Sequence, residues 1–444
     1  MSDHRLAFAA PNLPRYTSYP TAPHFTGDVT DAVYGDWLGA LTPEAPLSVY
    51  LHLPFCAQMC WYCGCHTKIT RRIEPVERYG EALVREVDLV ADRLTQAMPI
   101  SHLHWGGGTP TMLPLDHFAR VMERIRTRFA VRDDAELAVE ADPRTVTPEL
   151  ARGLAAQGIN RMSFGIQDFD PRVQAAINRV QCAGLVSRAV GLLQDVGIKH
   201  ISFDLIYGLP HQTLDSLRRT VDQAVAMGPD RLSVFGYAHV PWMKTHQKMI
   251  DTDRLADAEG RLEQVETIAA ALEAHGYVRV GLDHFAKAGD SMAAALAQGD
   301  LQRNFQGYTT DQAQGLIGFG ASAIGTLPQG YSQNAPDLGG YERAISEGRL
   351  ATVRGRALTP DDRTRRAVIE RLMCDMAVDL DTIDGAAGLA PVLRSFDPMV
   401  RAGLAEVTGH RVRLNERARP VMRWAAARFD AYLEPQTARH SVGV

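Results

Sequence analysis

Four of the six cysteines fall within ten residues: Cys56, Cys60, Cys63 and Cys65. Thiolates are ligands for soft metals, so Cys56-x3-Cys60-x2-Cys63 reads as a metal-binding loop. A structural zinc site joins two Cys/His pairs separated by about a dozen residues or more, and no second pair lies near. A thioredoxin-like dithiol uses fewer thiols than stand here. A three-thiolate loop suits an iron–sulfur cluster, and three ligands on four irons leave one iron open to a small molecule. Cys65 follows too soon after Cys63 to reach the same cubane readily. Cys182 and Cys374 stand alone in helix-like surroundings and read as small packed hydrophobes. Other chemistry-bearing residues are spread along the chain. Gly106-Gly107-Gly108-Thr109 makes a flexible loop that lets backbone approach a ligand, and Glu140, Gln167 and Asp204 each punctuate an apolar run.

These residues need elements to bring them together. Apolar, β-branched runs predict strands at Ser48–Phe55, Ser101–Trp105, Ala135–Glu140, Arg161–Ile166, His200–Tyr207 and Arg231–Ala238. Amphipathic stretches between and after them predict helices near 75–94, 114–130, 147–157, 170–196, 213–227 and 254–275. Six strand–helix repeats imply a parallel α/β sheet, either open or curled into a partial (β/α)6 barrel, since a full barrel needs eight. The cysteines, the glycine loop, Glu140, Gln167, Asp204 and Ala238 all fall within or just beyond the carboxyl ends of these strands. Ligands bind at that edge of a parallel sheet. A further strand is expected at Tyr277–Leu282, and a loop or short strand pair across Gly315–Gly330. Residues 1–45, punctuated by Pro11, Pro14, Pro20 and Pro23, read as an extended arm over the site. Residues 46–358 form the barrel with its extension. Residues 359–444 form a small domain, with a helix at 360–377, a hairpin at 405–414 and a closing helix at 416–433.

Composition bounds the remaining choices. The chain has 444 residues with 47 basic and 52 acidic side chains, a net charge of −5, which argues against a nucleic-acid binder. No run of about 18 apolar residues free of charge is present, so no transmembrane helix is expected. The opening residues carry no apolar h-region. A reducing cytoplasm is the expected location, and a disulfide framework is not expected.

Beyond the cysteine triplet, several segments carry a resemblance: Pro14-Arg15-Tyr16-Thr17-Ser18-Tyr19-Pro20-Thr21, Tyr50-Leu51-His52-Leu53-Pro54-Phe55-Cys56, Trp105-Gly106-Gly107-Gly108-Thr109-Pro110-Thr111, Asp204-Leu205-Ile206-Tyr207-Gly208-Leu209-Pro210 and Arg303-Asn304-Phe305-Gln306-Gly307-Tyr308-Thr309-Thr310. The chain resembles the radical S-adenosylmethionine (radical SAM) enzymes, and among them the oxygen-independent coproporphyrinogen III oxidase family. That resemblance implies a radical SAM partial barrel with a small, mainly helical, winged-helix-like lid. It implies a [4Fe–4S] cluster on Cys56, Cys60 and Cys63, and two molecules of S-adenosylmethionine. For the first molecule it implies Gly107 and Glu140. For the second it implies Gly108, Thr109, Gln167, Arg179 and Asp204, with Phe305 and Gln306 nearby. Tyr50, Tyr62, Ala238 and Ile324 are implied as further cofactor contacts, and Cys65 as a catalytic residue that is not a cluster ligand.

The implied reaction converts two propionates of coproporphyrinogen III to vinyl groups through a 5′-deoxyadenosyl radical, giving protoporphyrinogen IX in haem biosynthesis. A reduced flavodoxin- or ferredoxin-like donor and a monomeric state are expected with it. Arg15, Lys68, Arg71 and Arg72 offer cations for the carboxylates, or form a solvated basic run. His52, between apolar neighbours, reads as a satisfied core histidine. A haem chaperone on the same barrel is the alternative, although such relatives typically lack the cysteine after the triplet and the Asn-Phe-Gln-Gly-Tyr segment.

Overall fold

The computed structural model describes residues 3–9 and 12–433. Met1, Ser2, Ala10 and Pro11 of the arm, and residues 434–444 of the C-terminal region, lie outside the described residues.

Six strands and the helices that follow them form the centre: β1 (Leu47–Leu53), β2 (Pro99–Gly107), β3 (Ala130–Ala141), β4 (Arg161–Gln167), β5 (His200–Tyr207) and β6 (Arg231–Gly236), with α1 (Glu74–Ala91), α2 (Leu115–Arg128), α3 (Pro148–Ala156), α4 (Ala183–Asp195), α5 (Leu214–Ala226) and α6 (Ala258–Ala274). Each strand pairs in parallel with the next, as Leu51 with Trp105, Val139 with Met162 and Phe203 with Leu232. Strands covered on both faces need continuous apolar sequence, and in β1 every residue but Tyr50 is buried. The helices start where the chain supplies caps. Thr147 and Thr213 accept hydrogen bonds from main-chain N–H groups at the starts of α3 and α5. Along α1, Val76, Tyr79, Leu83, Val87 and Val90 recur at three- and four-residue spacing and turn inward.

The sheet is wider than six strands. Beyond β6 lie His284–Lys287 and Tyr277–Val280, both antiparallel. Beyond β1 lies Gly315–Phe319, parallel to it, and then Ile324–Leu327, Gly330–Asn334 and Thr352–Ala357 in antiparallel order. The Gly-rich stretch is therefore three strands, the first of them a seventh parallel neighbour. The order has two free ends, so the α/β barrel is partial.

Two predicted helices are broken. The candidate at 170–196 splits into Pro171–Ala176 and α4. The Gln174 side chain exchanges hydrogen bonds with the Gln181 main chain at 2.6 and 3.0 Å, replacing helical bonds, and Asn178 takes φ +54°. The closing helix at 416–433 is a 3-10 turn, Glu416–Val421, followed by Met422–Ala427. Pro420 removes a donor from the ladder there. The arm is not extended throughout, because Thr30 caps a helix at Asp31–Gly39. Thr26 forms a bridge to Gly355 at the sheet edge. In the C-terminal region Pro360–Asp375 packs against a three-stranded sheet of Ala377–Asp379, Arg411–Leu414 and Ala405–Thr408.

Candidate active site

A cavity of about 650 Å³ opens at the carboxyl ends of β1 to β6, within the range of about 300–1,000 Å³ that small-molecule sites occupy. All six strands contribute to it. After β1 come Cys56, Cys60, Tyr62, Cys63 and Cys65; β2 brings Gly107, Gly108 and Thr109; β3 ends in Glu140, β4 in Gln167, and β5 carries Asp204. Ala238 follows β6, and Arg179 enters from the break before α4. From the arm, Arg15 reaches the same space, donates to the Gly236 carbonyl at 3.1 Å and lies over the Phe235 ring.

The cysteine loop is fixed through its own main chain. Gln247, fully buried, donates to the Tyr62 carbonyl at 2.9 Å. His246 Nε2 lies 2.7 Å from the Cys63 carbonyl, and Lys244 Nζ donates to that of Cys65 at 2.8 Å. On the other side Asn178 Nδ2 donates to the Met59 carbonyl at 2.8 Å. Thr109 Oγ1 approaches Cys56 Sγ at 3.6 Å, and Arg179 Nη1 approaches Cys60 Sγ at 3.5 Å. A hydrogen bond from Cys65 lowers the Cys63 thiol to about 6, while burial raises Cys56 to about 11. Among the described residues no three His, Cys, Asp or Glu side chains converge on a point for one metal ion. The thiolates of a cubane each bind a different iron and need no common point.

Glycine is required beside this loop. Gly107 has φ +111°, and a Cβ on it would lie 2.6 Å from the His52 ring. A Cβ on Gly108 would lie 2.5 Å from the Phe55 carbonyl oxygen, next to Cys56. Their closeness lets Gly108 N donate to Leu53 O and Thr109 N to Phe55 O, both at 2.8 Å.

The polar wall opposite is graded in charge. Desolvation raises the carboxyl of half-buried Glu140, but His104 at 3.1 Å and the Gly107 N–H at 3.2 Å hold it below its ordinary value. Asp204 is pushed up to about 7, first by burial and then by the charge of Glu140. Arg179 donates to the Gly165 carbonyl at 2.7 and 3.1 Å and stands 3.6 Å from Asp142. Gln167, at φ +67°, keeps its side-chain oxygen buried and without a hydrogen-bond partner. That orphaned acceptor, the thiols and the carboxylates form a donor set into which a cluster and a polar, hydroxyl-bearing ligand fit.

Four expected residues do not line this cavity. Tyr50 sits beneath it, with its hydroxyl 3.0 Å from His52 Nδ1 and its ring stacked on His104. Phe305 and Ile324 pack against the Phe25, Tyr331 and Leu358 group, and Gln306 lines a separate cavity of about 40 Å³ with His104 and Asp311. Ile324 stands two strands beyond β1 in the sheet, while Phe305 and Gln306 form the turn of a separate hairpin, Gln302–Asn304 with Gly307–Thr309. His52 is satisfied, bridging Tyr50 and the His66 carbonyl, as expected for a core histidine. Lys68, Arg71 and Arg72 are exposed and outside the lining. Sequence reasoning missed Asp142, Asn178 and the clamp of Lys244, His246 and Gln247. Only Asp142, two positions past Glu140, carried a positional signal.

The Radical SAM superfamily model matches residues 50–224, and the HemN C-terminal domain model matches residues 358–421. A curated oxygen-independent coproporphyrinogen III oxidase of Bradyrhizobium diazoefficiens is 47% identical over all of both chains. That of Paracoccus denitrificans is 42% identical, over 96% of each chain. A solved structure of the Escherichia coli coproporphyrinogen III oxidase, described as a radical SAM enzyme, superposes with a TM-score of 0.90 at 37% identity. The superposition covers 94% of this chain and 98% of that one.

Proposed function

Because the chain belongs to the oxygen-independent coproporphyrinogen III oxidase family of radical SAM enzymes, we propose that it decarboxylates two propionates of coproporphyrinogen III, giving protoporphyrinogen IX. The observation that carries this reading is the convergence of one cavity on residues from six strand ends, with three cysteines on one wall and paired carboxylates on another. Each CH2CH2COO− arm gives one hydrogen atom to the 5′-deoxyadenosyl radical and one electron to a separate one-electron acceptor, releases carbon dioxide, and becomes CH=CH2. When bound, a [4Fe–4S] cluster and S-adenosylmethionine supply the hydrogen-abstracting 5′-deoxyadenosyl radical by one-electron cleavage of the sulfonium. Cys56, Cys60 and Cys63 hold the cluster and leave one iron to the first S-adenosylmethionine. Glu140 accepts hydroxyl donors of that molecule, and the Gly107 to Thr109 main chain borders its methionine end.

A second S-adenosylmethionine is held by Gln167, Arg179 and Asp204, which line the same cavity. Turned toward the cavity, the orphaned oxygen of Gln167 gives that molecule an acceptor. Arg15 binds a substrate carboxylate with its planar fork, and the arm keeps water from the reacting carbon. Cys65, on the rim and outside the cluster's ligand set, acts beside the second cofactor or the substrate.

The chain works as a monomer in the cytoplasm, with a reduced flavodoxin- or ferredoxin-like donor. Among the described residues no helix is long and apolar enough to cross a membrane. Anaerobic reconstitution with iron and sulfide, followed by turnover of coproporphyrinogen III, tests the assignment. Vinyl product and carbon dioxide are expected from the wild type. Serine at Cys56, Cys60 and Cys63 should remove both the iron–sulfur absorbance and the product. Haem binding without carbon dioxide release would replace this reading with a chaperone.

A further inference from the structure

Eight large apolar side chains stand exposed among the described residues, and six of them flank the cysteine loop: Ile69, Ile73, Val180, Trp242, Met243 and Met249. Such concentration marks an interaction surface, since exposed hydrophobes scattered singly need no explanation. Ile69 belongs to the cavity rim; the other five lie outside the cavity lining. The segment bearing Trp242, Met243 and Met249 is the one whose Lys244, His246 and Gln247 hold the loop carbonyls. Val180 adjoins Arg179, which touches Cys60.

The rim of this patch is basic. Residues 68–74 and 242–249 contain Lys68, Arg71, Arg72, Lys244 and Lys248 against Glu74 alone, in a chain whose net charge is −5. Apolar side chains interleaved with charges of one sign favour a partner whose surface carries the opposite sign. The cavity side of the loop is reserved for small molecules. What reaches the cysteines from the solvent side needs only to deliver an electron. We propose that this surface docks an acidic one-electron carrier protein of the flavodoxin class, a proposal that rests on the radical SAM reading above. The carrier's reduced flavin gives up one electron and is oxidised by one unit. S-adenosylmethionine is reduced by that electron as its C5′–S bond breaks, methionine leaves, and no proton is exchanged. Contacts of this kind are small and transient, below about 1,200 Å².

The test is calorimetric binding of oxidised flavodoxin, an acidic FMN protein, to the as-purified chain. The expected affinity falls by about tenfold in Arg71→Glu/Arg72→Glu and in Trp242→Ala/Met243→Ala/Lys248→Glu, and falls with added salt. The basic carrier cytochrome c should not bind. Turnover driven by dithionite should keep the wild-type rate in the second variant, because that reductant needs no docking surface. Equal flavodoxin affinity in wild type and variants, or no binding by the wild type, overturns the proposal. Weaker binding of coproporphyrin III in the variants also overturns it and assigns the patch to the substrate. A wild type that makes no vinyl product with dithionite refutes the decarboxylase reading instead, while the calorimetry still decides the docking.

Discussion

Cys65 and Asp204 face the cavity from opposite walls, and each is chemically distinct from its neighbours. Cys65 donates a hydrogen bond that favours the thiolate of Cys63. A serine hydroxyl donates as well, so Cys65→Ser should keep the iron content and the cluster spectrum while vinyl product falls. Those three measurements on one sample separate the roles: lost iron would make Cys65 a ligand, and full activity would make it filler. Asp204 titrates near 7 because burial and Glu140 both oppose its charge. An ionised carboxylate accepts two hydroxyl donors, and an amide does this less well. Binding of the second S-adenosylmethionine should therefore strengthen from about pH 6 to about pH 8, as Asp204 loses its proton near its shifted value. Asp204→Asn should abolish that slope and leave the first equivalent bound. Equilibrium dialysis at the two pH values counts the equivalents, and a single equivalent in the wild type at both would contradict this.

At the scale of elements, the sheet edge opposite β6 hangs on one carboxylate. Glu86 of α1 is buried and accepts from Gly320 N, Tyr341 Oη and Asn334 Nδ2, each at 2.7 Å. It thereby joins α1 to the turn after Gly315–Phe319 and to Leu338–Ser346. Burial still outweighs these donors and raises Glu86 to about 7 from 4.5. The raised value means its contribution to stability is full below about 4.5 and is lost as pH rises through about 7, by roughly 3 kcal/mol in all. Glu86→Gln should flatten urea-midpoint stability between about pH 5 and 8. A variant that keeps the wild-type slope would show that another group titrates there. The order of β1 to β6 was legible because each strand carries a short apolar, β-branched stretch with a polar, cysteine or glycine residue at or just past its carboxyl end. The break at 177–182 was not, since its sequence keeps helical periodicity and the competing bonds come from the Gln174 side chain. Nor was the clamp at 244–247, because a donor to a distant carbonyl leaves no spacing to read. Phe305, Gln306 and Ile324 were grouped with the site by resemblance alone; Ile324 lies two strands beyond β1, and Phe305 and Gln306 on the turn of a separate hairpin, outside the cavity lining.

Across the whole molecule, the first and last described segments meet, and Arg15 of the arm that they fasten lines the cavity. Phe8 packs edge-on against Trp424, Tyr16 Oη donates to Asp430 at 3.0 Å, and Ala431 N donates to Tyr19 Oη at 2.9 Å. Arg423 donates to the Leu13 carbonyl at 3.1 Å. Tyr16→Phe/Tyr19→Phe removes two of these bonds, each worth about 1 kcal/mol, and loosens the cover without touching the cysteine loop. The expected result is unchanged iron with more 5′-deoxyadenosine formed per vinyl group, because water and solvent hydrogen atoms gain access. Chromatography of both products on one reaction measures the ratio, and a wild-type ratio would mean that the arm does not shield the site.

The same contact orders events in time. Tyr16 and Asp430 are 414 positions apart, so during translation the arm leaves the ribosome long before its partner exists. At about 5–20 residues per second the wait is roughly 20–80 s. For most of that interval the cysteine loop at 56–65 is already made, while Tyr16 still lacks its partner. A nascent chain thus presents its cysteine loop long before the arm can make its last contacts.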